Sequence, residues 1–151
     1  EFTRFTVVRD PIARFVSGYR YEMKRIRAVT SKGLPADGHP KLRRHVIEQG
    51  FGPDINAFVD HIQHKVPLLF GMDIYYPQWY YFYYCNLDIV LRQEHLDEDI
   101  HQVVPYAKEH YRGIRHANIA KLDCDPLTEE SKKIIRILYA KDYEILKPYG
   151  Y

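Results

Sequence analysis

Near the start of the chain, a continuous apolar run gives way to apolar residues spaced three and four positions apart. The run Phe5–Val8 is apolar and β-branched, which predicts a strand covered on both faces. Asp10 is suited to an N-cap and Pro11 to the first helical position, where a missing N–H costs nothing. Residues 11–28 are therefore expected to form a helix with this buried face: Ile12, Phe15, Val16, Tyr19, Met23 and Ile26.

The outer face of that helix is charged and carries Arg20, Glu22, Lys24, Arg25 and Arg27. A solvated surface explains this pattern. The alternative is a basic lip for an anionic acceptor such as a sugar chain.

The junction between strand and helix is a candidate anion site. Arg9 is expected at the carboxyl end of the strand and Ser17 about two turns into the helix. Open α/β sheets bind nucleotides at such junctions, where the helix start favours an anion. The guanidinium of Arg9 suits phosphate, and the hydroxyl of Ser17 supplies a further donor.

The middle of the chain predicts a loop over residues 30–40, rich in Gly, Pro, Ser and Asp, and a short helix over residues 41–49. Residues 54–65 predict a second amphipathic helix capped by Asp54. Its buried face consists of Ile55, Phe58, Val59 and Ile62.

Aromatic side chains crowd residues 73–86 with neither a helical nor an alternating period. Two interpretations stay open: a strand or loop packed under the domain, and a platform on which sugar rings stack. Residues 87–91 predict the second strand. Beyond it, Asp97 is placed to cap a helix, and Arg92 and Glu94 are positioned to pair.

The last predicted helix covers residues 127–146 and begins with Thr128 as its cap. Its buried face consists of Ile134, Ile135, Leu138, Tyr139, Tyr143 and Leu146.

Composition narrows the class of protein. With 151 residues, 46% of them hydrophobic, the chain is expected to form one folded domain over residues 1–151. A net charge of +2 argues against a general nucleic-acid binder. No stretch approaches the roughly 20 apolar residues of a membrane span. No cysteine and histidine spacing predicts a metal site, and His61 and His64 are interpreted as surface residues.

The series Arg9-Asp10-Pro11, Arg14, Ser17 and Tyr19 resembles the 3′-phosphate-binding motif of sulfotransferases, in particular the carbohydrate type (sulfotransferase family 2). The resemblance implies that Arg9 and Ser17 hold the 3′-phosphate of 3′-phosphoadenosine 5′-phosphosulfate, the sulfuryl donor. Asp10 and Arg14 belong to the same motif and are candidate cofactor-binding residues with them.

Three later segments resemble the same family. Pro77-Gln78 matches the end of its His-Trp-x-Pro-Gln element, with Tyr75 at the aromatic position and Ile74 in place of the His. The segment from Arg92 to Asp99 and the final Tyr-x-x-Asp-Tyr pattern are similar to family segments too. A donor-rich loop at residues 109–118 supplies further candidates for closing over the nucleotide: Arg112, Arg115 and His116.

The resemblance implies a three-layer, nucleotide-kinase-like (P-loop NTP hydrolase-like) α/β fold with a parallel sheet. It also implies a strand-loop-helix that binds the 5′-phosphosulfate and lies N-terminal to Phe5. That element and the usual general base are not among these residues, so the chain is expected to be partial and its catalytic residues unknown.

The expected function is sulfuryl transfer from this donor to a hydroxyl of a carbohydrate or other small molecule, without a metal. One alternative is a non-catalytic module that binds adenosine 3′,5′-bisphosphate. A kinase of the same fold class is disfavoured, because neither a phosphate loop nor a magnesium-binding carboxylate is evident. Relatives occur in bacterial cytoplasm and in the eukaryotic Golgi lumen, so the compartment stays open.

Overall fold

The computed structural model describes residues 3–33, 50–52, 54–103 and 124–151. In chain order its strands and α-helices are β1 Phe5–Val8, α1 Pro11–Thr30, α2 Ile55–Ile62, α3 Val66–Phe70, α4 Trp79–Tyr84, β2 Ile89–Arg92, α5 Leu96–Asp99, α6 Glu129–Leu138 and α7 Ala140–Leu146. Short 3₁₀ segments occupy Asp73–Tyr75, Gln93–His95, Ile100–Gln102 and Lys147–Tyr149. The predicted α/β class is confirmed. The predicted helix at 41–49 and the donor-rich loop at 109–118 lie outside the described residues.

The chain divides into two compact units. The first comprises Glu1–Asp10, Pro77–Ile119 and Lys141–Tyr151, and the second comprises Pro11–Tyr76 and Ala120–Ala140. The first contains β1 and β2, which pair in parallel from Phe5 opposite Ile89 to Val8 opposite Arg92. The sequence predicts the bounds of β1 correctly, whereas β2 begins two residues later than expected.

The two faces of β1 are covered unequally. Val8 is 1% exposed, whereas Phe5 is 48% and Val7 39% exposed. Side chains alternate between the two faces of a strand, so the odd positions here face outward. The expectation that β1 is covered on both faces is therefore wrong for the described part of the chain.

The second unit is built around the apolar faces predicted for α1 and α2. Phe15, Tyr19 and Phe58 are at most 1% exposed, and Phe51 stacks on Phe58 with ring centroids 4.2 Å apart. Asp54 caps α2, accepting a hydrogen bond from the Asn56 N–H at 2.8 Å. α1 ends two residues beyond the predicted bound, and α2 ends at Ile62 instead of residue 65.

Glu22 was expected on the charged outer face of α1 but is only 4% exposed. It lies four residues before Ile26 and so shares that residue's buried face. Its carboxylate accepts a hydrogen bond from Arg25 Nη1 at 2.9 Å, which keeps the buried charge paired.

Two other predicted elements have a different form. The aromatic stretch is neither a strand nor a loop, because it forms the 3₁₀ turn Asp73–Tyr75 and the helix α4. The final helix is interrupted at Tyr139, whose hydroxyl donates to the Tyr75 carbonyl at 2.8 Å. Thr128 caps α6 as predicted, accepting from the Ser131 N–H at 3.1 Å.

The predicted pair of Arg92 with Glu94 is wrong, since Arg92 binds Asp99. The Asp99 carboxylate accepts from Arg92 Nε and Nη2 at 2.9 Å and from its backbone N–H at 2.8 Å. Asp97, expected as a cap, lies inside the first turn of α5, where His95 holds the N-cap position. The turn of Gln93–His95 brings α5 back onto the end of β2, which places Asp99 within reach of Arg92.

This pairing predicts a dependence of stability on pH. The side-chain hydrogen bond from Arg92 is the main cause that lowers the pKa of Asp99. A carboxylate with a lowered folded-state pKa stabilises the fold above its unfolded pKa of about 3.9, and the contribution is lost as pH falls below it. We expect urea unfolding to show Asp99→Asn less stable than wild type at pH 7 and the gap to narrow in acid. If the difference in stability between wild type and Asp99→Asn were the same in acid as at pH 7, the lowered pKa of Asp99 would be contradicted.

Candidate functional site

Arg9 and Glu94 lie just beyond the carboxyl ends of the paired strands. Arg9 follows β1 directly, and Glu94 is two residues past β2, whose last residue, Arg92, is opposite Val8. Because the strands are parallel, both side chains stand at the same edge of the sheet. Ligands of open α/β sheets bind at this edge.

The backbone of Arg9 is held by one side chain. The Arg9 N–H donates to Gln78 Oε1 at 2.9 Å, and Gln78 Nε2 donates to the Arg9 carbonyl at 2.8 Å. Gln78 is 4% exposed, and it is 69 positions from Arg9 in the chain. The conformation at the strand end is therefore fixed by a residue far away in sequence.

Asp142 in turn holds the backbone around Gln78. Its two carboxylate oxygens accept from the N–H groups of Gln78 at 3.0 Å and Trp79 at 2.8 Å. Asp142 is fully buried. These are the first N–H groups of α4, which lack a partner within the helix, so Asp142 caps α4 from a distance of 63 positions in the chain.

The side chain of Arg9 is only partly neutralised. Its Nε lies 3.4 Å from Glu94 Oε1, yet within the described part of the chain this buried nitrogen has no hydrogen-bond partner. Glu94 also accepts a hydrogen bond from the Tyr151 hydroxyl. Burial, and then the hydrogen bond to Glu94, raise the pKa of Tyr151, so it stays protonated as a donor. The result is a guanidinium with an unused donor beside an occupied carboxylate.

The sequence model of the sulfotransferase family matches residues 1–150, nearly the whole chain. The chain belongs to the sulfotransferase family. Comparison with curated proteins and with solved structures gives no match.

The residues predicted to bind the sulfuryl donor are distributed over both units. Arg9 and Asp10 belong to the first unit, where Asp10 accepts a hydrogen bond from the Tyr143 hydroxyl at 3.3 Å. Arg14 and Ser17 belong to the second unit, on α1, with Ser17 exposed and Arg14 half-buried. Arg115 lies outside the described residues. The binding roles of all five stay predictions.

Packing in the second unit explains why a glycine lies between Ser17 and Tyr19 of the motif. A Cβ atom at Gly18 would lie 3.1 Å from Tyr75 Cε1 and 3.3 Å from Ile74 Cγ1. Gly18 therefore leaves room for the ring of Tyr75, which is fully buried. Ile74, at the position of the family's His, packs against the hydrophobic core and supplies no acid or base.

The sequence did not reveal that Gln78 holds the Arg9 backbone or that Asp142 caps α4, although both residues lie in segments that resemble the family. In the described ranges of the chain, no three His, Cys, Asp or Glu side chains are grouped to hold a metal ion. No described helix has both the length and the apolar character that crossing a membrane requires.

Proposed function

We propose that this protein moves a sulfuryl group from 3′-phosphoadenosine 5′-phosphosulfate to a hydroxyl of a carbohydrate, and that Arg9 binds the 3′-phosphate. The observation that carries the proposal is the Arg9 side chain at the carboxyl edge of the sheet. Its buried Nε has no partner closer than the Glu94 carboxylate at 3.4 Å and makes no hydrogen bond to any described residue. A buried donor without a partner is costly, and a phosphate oxygen would satisfy it.

Arg14 and Ser17 are proposed as further phosphate ligands on the strength of the family motif. The first turn of α1 contains no acidic residue, and Arg14 lies in that turn. The Asp10 carboxylate directly precedes this turn, so the family motif, and not the helix dipole, supports this assignment. For the whole protein we propose the three-layer nucleotide-kinase-like fold, whose sheet binds ligands at the carboxyl edge.

The proposed reaction is an in-line displacement at sulfur. The acceptor hydroxyl oxygen forms a bond to sulfur as the bond from sulfur to the 5′-phosphate oxygen breaks, and a base takes the hydroxyl proton. The products are a sulfate ester and adenosine 3′,5′-bisphosphate. Arg9 contributes by binding and orienting the donor through its 3′-phosphate.

A second candidate, a non-catalytic module that binds adenosine 3′,5′-bisphosphate, is favoured by Ile74, which replaces the family's His with a core side chain. The experiment that separates the two incubates the intact protein with ³⁵S-labelled donor and a set of hydroxylated sugars. Transfer of label supports the enzyme. Binding of the labelled donor without transfer supports the module, and neither binding nor transfer would overturn both.

Replacing Glu94 with Gln is expected to tighten binding of adenosine 3′,5′-bisphosphate about fivefold. The carboxylate lies 3.4 Å from Arg9 Nε, where it would repel a bound phosphate. Removing one such charge at a partly exposed site is worth roughly 1 kcal/mol. Calorimetric titration measures the effect, with Glu130→Gln on the exposed face of α6 as the control. Weaker binding would show that Glu94 serves to orient Arg9.

A further inference from the structure

The carboxamide of Gln78 extends the pairing of β1 by one residue. The ladder with β2 ends at Val8, and the next residue, Arg9, has both its N–H and its carbonyl paired with Gln78. A primary amide has a donor and an acceptor side by side, which matches the two main-chain groups of one residue in an extended strand. Arg9 is thus held as if a further strand lay beside it.

Gln78 does not serve the helix that it begins. It occupies the N-cap position of α4, yet its side chain makes no capping hydrogen bond. The buried carboxylate of Asp142 caps α4 in its place, and so leaves the Gln78 amide available for Arg9. The buried Asp142 carboxylate thus holds the backbone of Gln78, and the buried Gln78 side chain holds the backbone of Arg9.

We infer that Gln78 is a positioning residue for the 3′-phosphate, holding the Arg9 backbone so that the guanidinium is presented to the ligand in a fixed place. The inference rests on the proposed function. In this role Gln78 acts through the Arg9 backbone and not by contact with the ligand. Without it, binding would have to order the Arg9 backbone, and ordering one residue is worth roughly tenfold in a binding constant.

The test is a titration of the intact protein with adenosine 3′,5′-bisphosphate and with adenosine 5′-phosphate. It compares wild type, Gln78→Ala, Arg9→Ala and the double variant, with the exposed Gln102→Ala as the matched control. We expect Gln78→Ala to bind the bisphosphate about tenfold more weakly and the monophosphate unchanged. In the Arg9→Ala background, Gln78→Ala should cause no further loss for either nucleotide.

A purely structural role has a different signature. The contacts of Gln78 are with the Arg9 backbone, which Arg9→Ala retains, so a loss of stability would appear in both backgrounds. Equal weakening of both nucleotides, or additive losses in the double variant, would overturn the inference. If Gln78→Ala does not fold, Gln78→Met fills a similar volume without either hydrogen bond to Arg9 and without adding a charge beside it. The same loss specific to the bisphosphate is then expected.

The proposed function can fail independently. If wild type binds both nucleotides equally, the 3′-phosphate assignment is wrong whatever Gln78 does. If wild type prefers the bisphosphate and Arg9→Ala abolishes that preference while Gln78→Ala retains it, only the positioning role is wrong.

Discussion

Replacing Asp142 with Ala is expected to lower the free energy of unfolding by about 3–5 kcal/mol, because two charge-assisted hydrogen bonds are lost together. Both acceptor oxygens of this fully buried carboxylate bind backbone N–H groups, at 3.0 Å from Gln78 and 2.8 Å from Trp79. The variant would leave these donors without their partner. Since native proteins are stable by roughly 5–15 kcal/mol, this is a large part of the total.

Urea unfolding measures this effect, and two comparisons sharpen it. Asp142→Asn keeps one acceptor oxygen and should lose less stability than Asp142→Ala. The exposed Asp125→Ala is the control and should change stability by less than about 0.5 kcal/mol. A loss below about 1 kcal/mol in Asp142→Ala would show that water or other groups replace the carboxylate.

Arg9→Ala is expected to weaken binding of adenosine 3′,5′-bisphosphate about 100-fold, since charge-assisted hydrogen bonds to phosphate are lost. Arg9→Lys keeps the positive charge but not the planar guanidinium, so its affinity should lie between those of wild type and Arg9→Ala. The fold should tolerate the change, because the ion pair of Arg9 with Glu94 is more than a third exposed on both sides and such pairs contribute little.

Arg4→Ala is the matched control for this titration. Arg4 precedes β1 as Arg9 follows it, and it also pairs with a carboxylate, Asp88, at 3.5 Å. The two variants remove the same charge from opposite ends of one strand. If Arg4→Ala and Arg9→Ala weakened nucleotide binding equally, the overall positive charge of the protein, and not a site at the carboxyl edge, would account for binding.

Local pattern predicted the parts of this fold that local physics determines. The β-branched residues of β1 predict a strand, and the fixed φ of Pro11 predicts the start of α1. The cap of α2 was predictable because Asp54 binds a backbone N–H only two positions away. The burial of Glu22 was not predicted, because its charge indicates a place on the outer face of α1. Its position four residues before the buried Ile26 indicates the inner face.

The helix α4 could not be predicted from its own residues. Six aromatic residues have modest helix propensity, and the N-cap position holds a glutamine whose side chain is used elsewhere. The carboxylate that caps α4 is Asp142, 63 positions away from Trp79. Contacts of a side chain with distant backbone leave no periodic trace in the sequence.

The same limit applies to the candidate site. The motif located Arg9, but it did not reveal that Gln78 fixes its backbone or that Glu94 lies beside its Nε. Glu94 was expected to pair with Arg92, because neighbours along a strand end are the simplest partners. The turn after β2 gives Arg92 to Asp99 instead and leaves Glu94 beside Arg9.

The most direct test of the account is the affinity of the wild-type protein for three adenine nucleotides at one salt concentration. We expect adenosine 3′,5′-bisphosphate to bind at least about tenfold more tightly than adenosine 2′,5′-bisphosphate or adenosine 5′-phosphate, because the proposed site is specific for a 3′-phosphate. Equal affinity for all three, or tighter binding of the monophosphate, would contradict it.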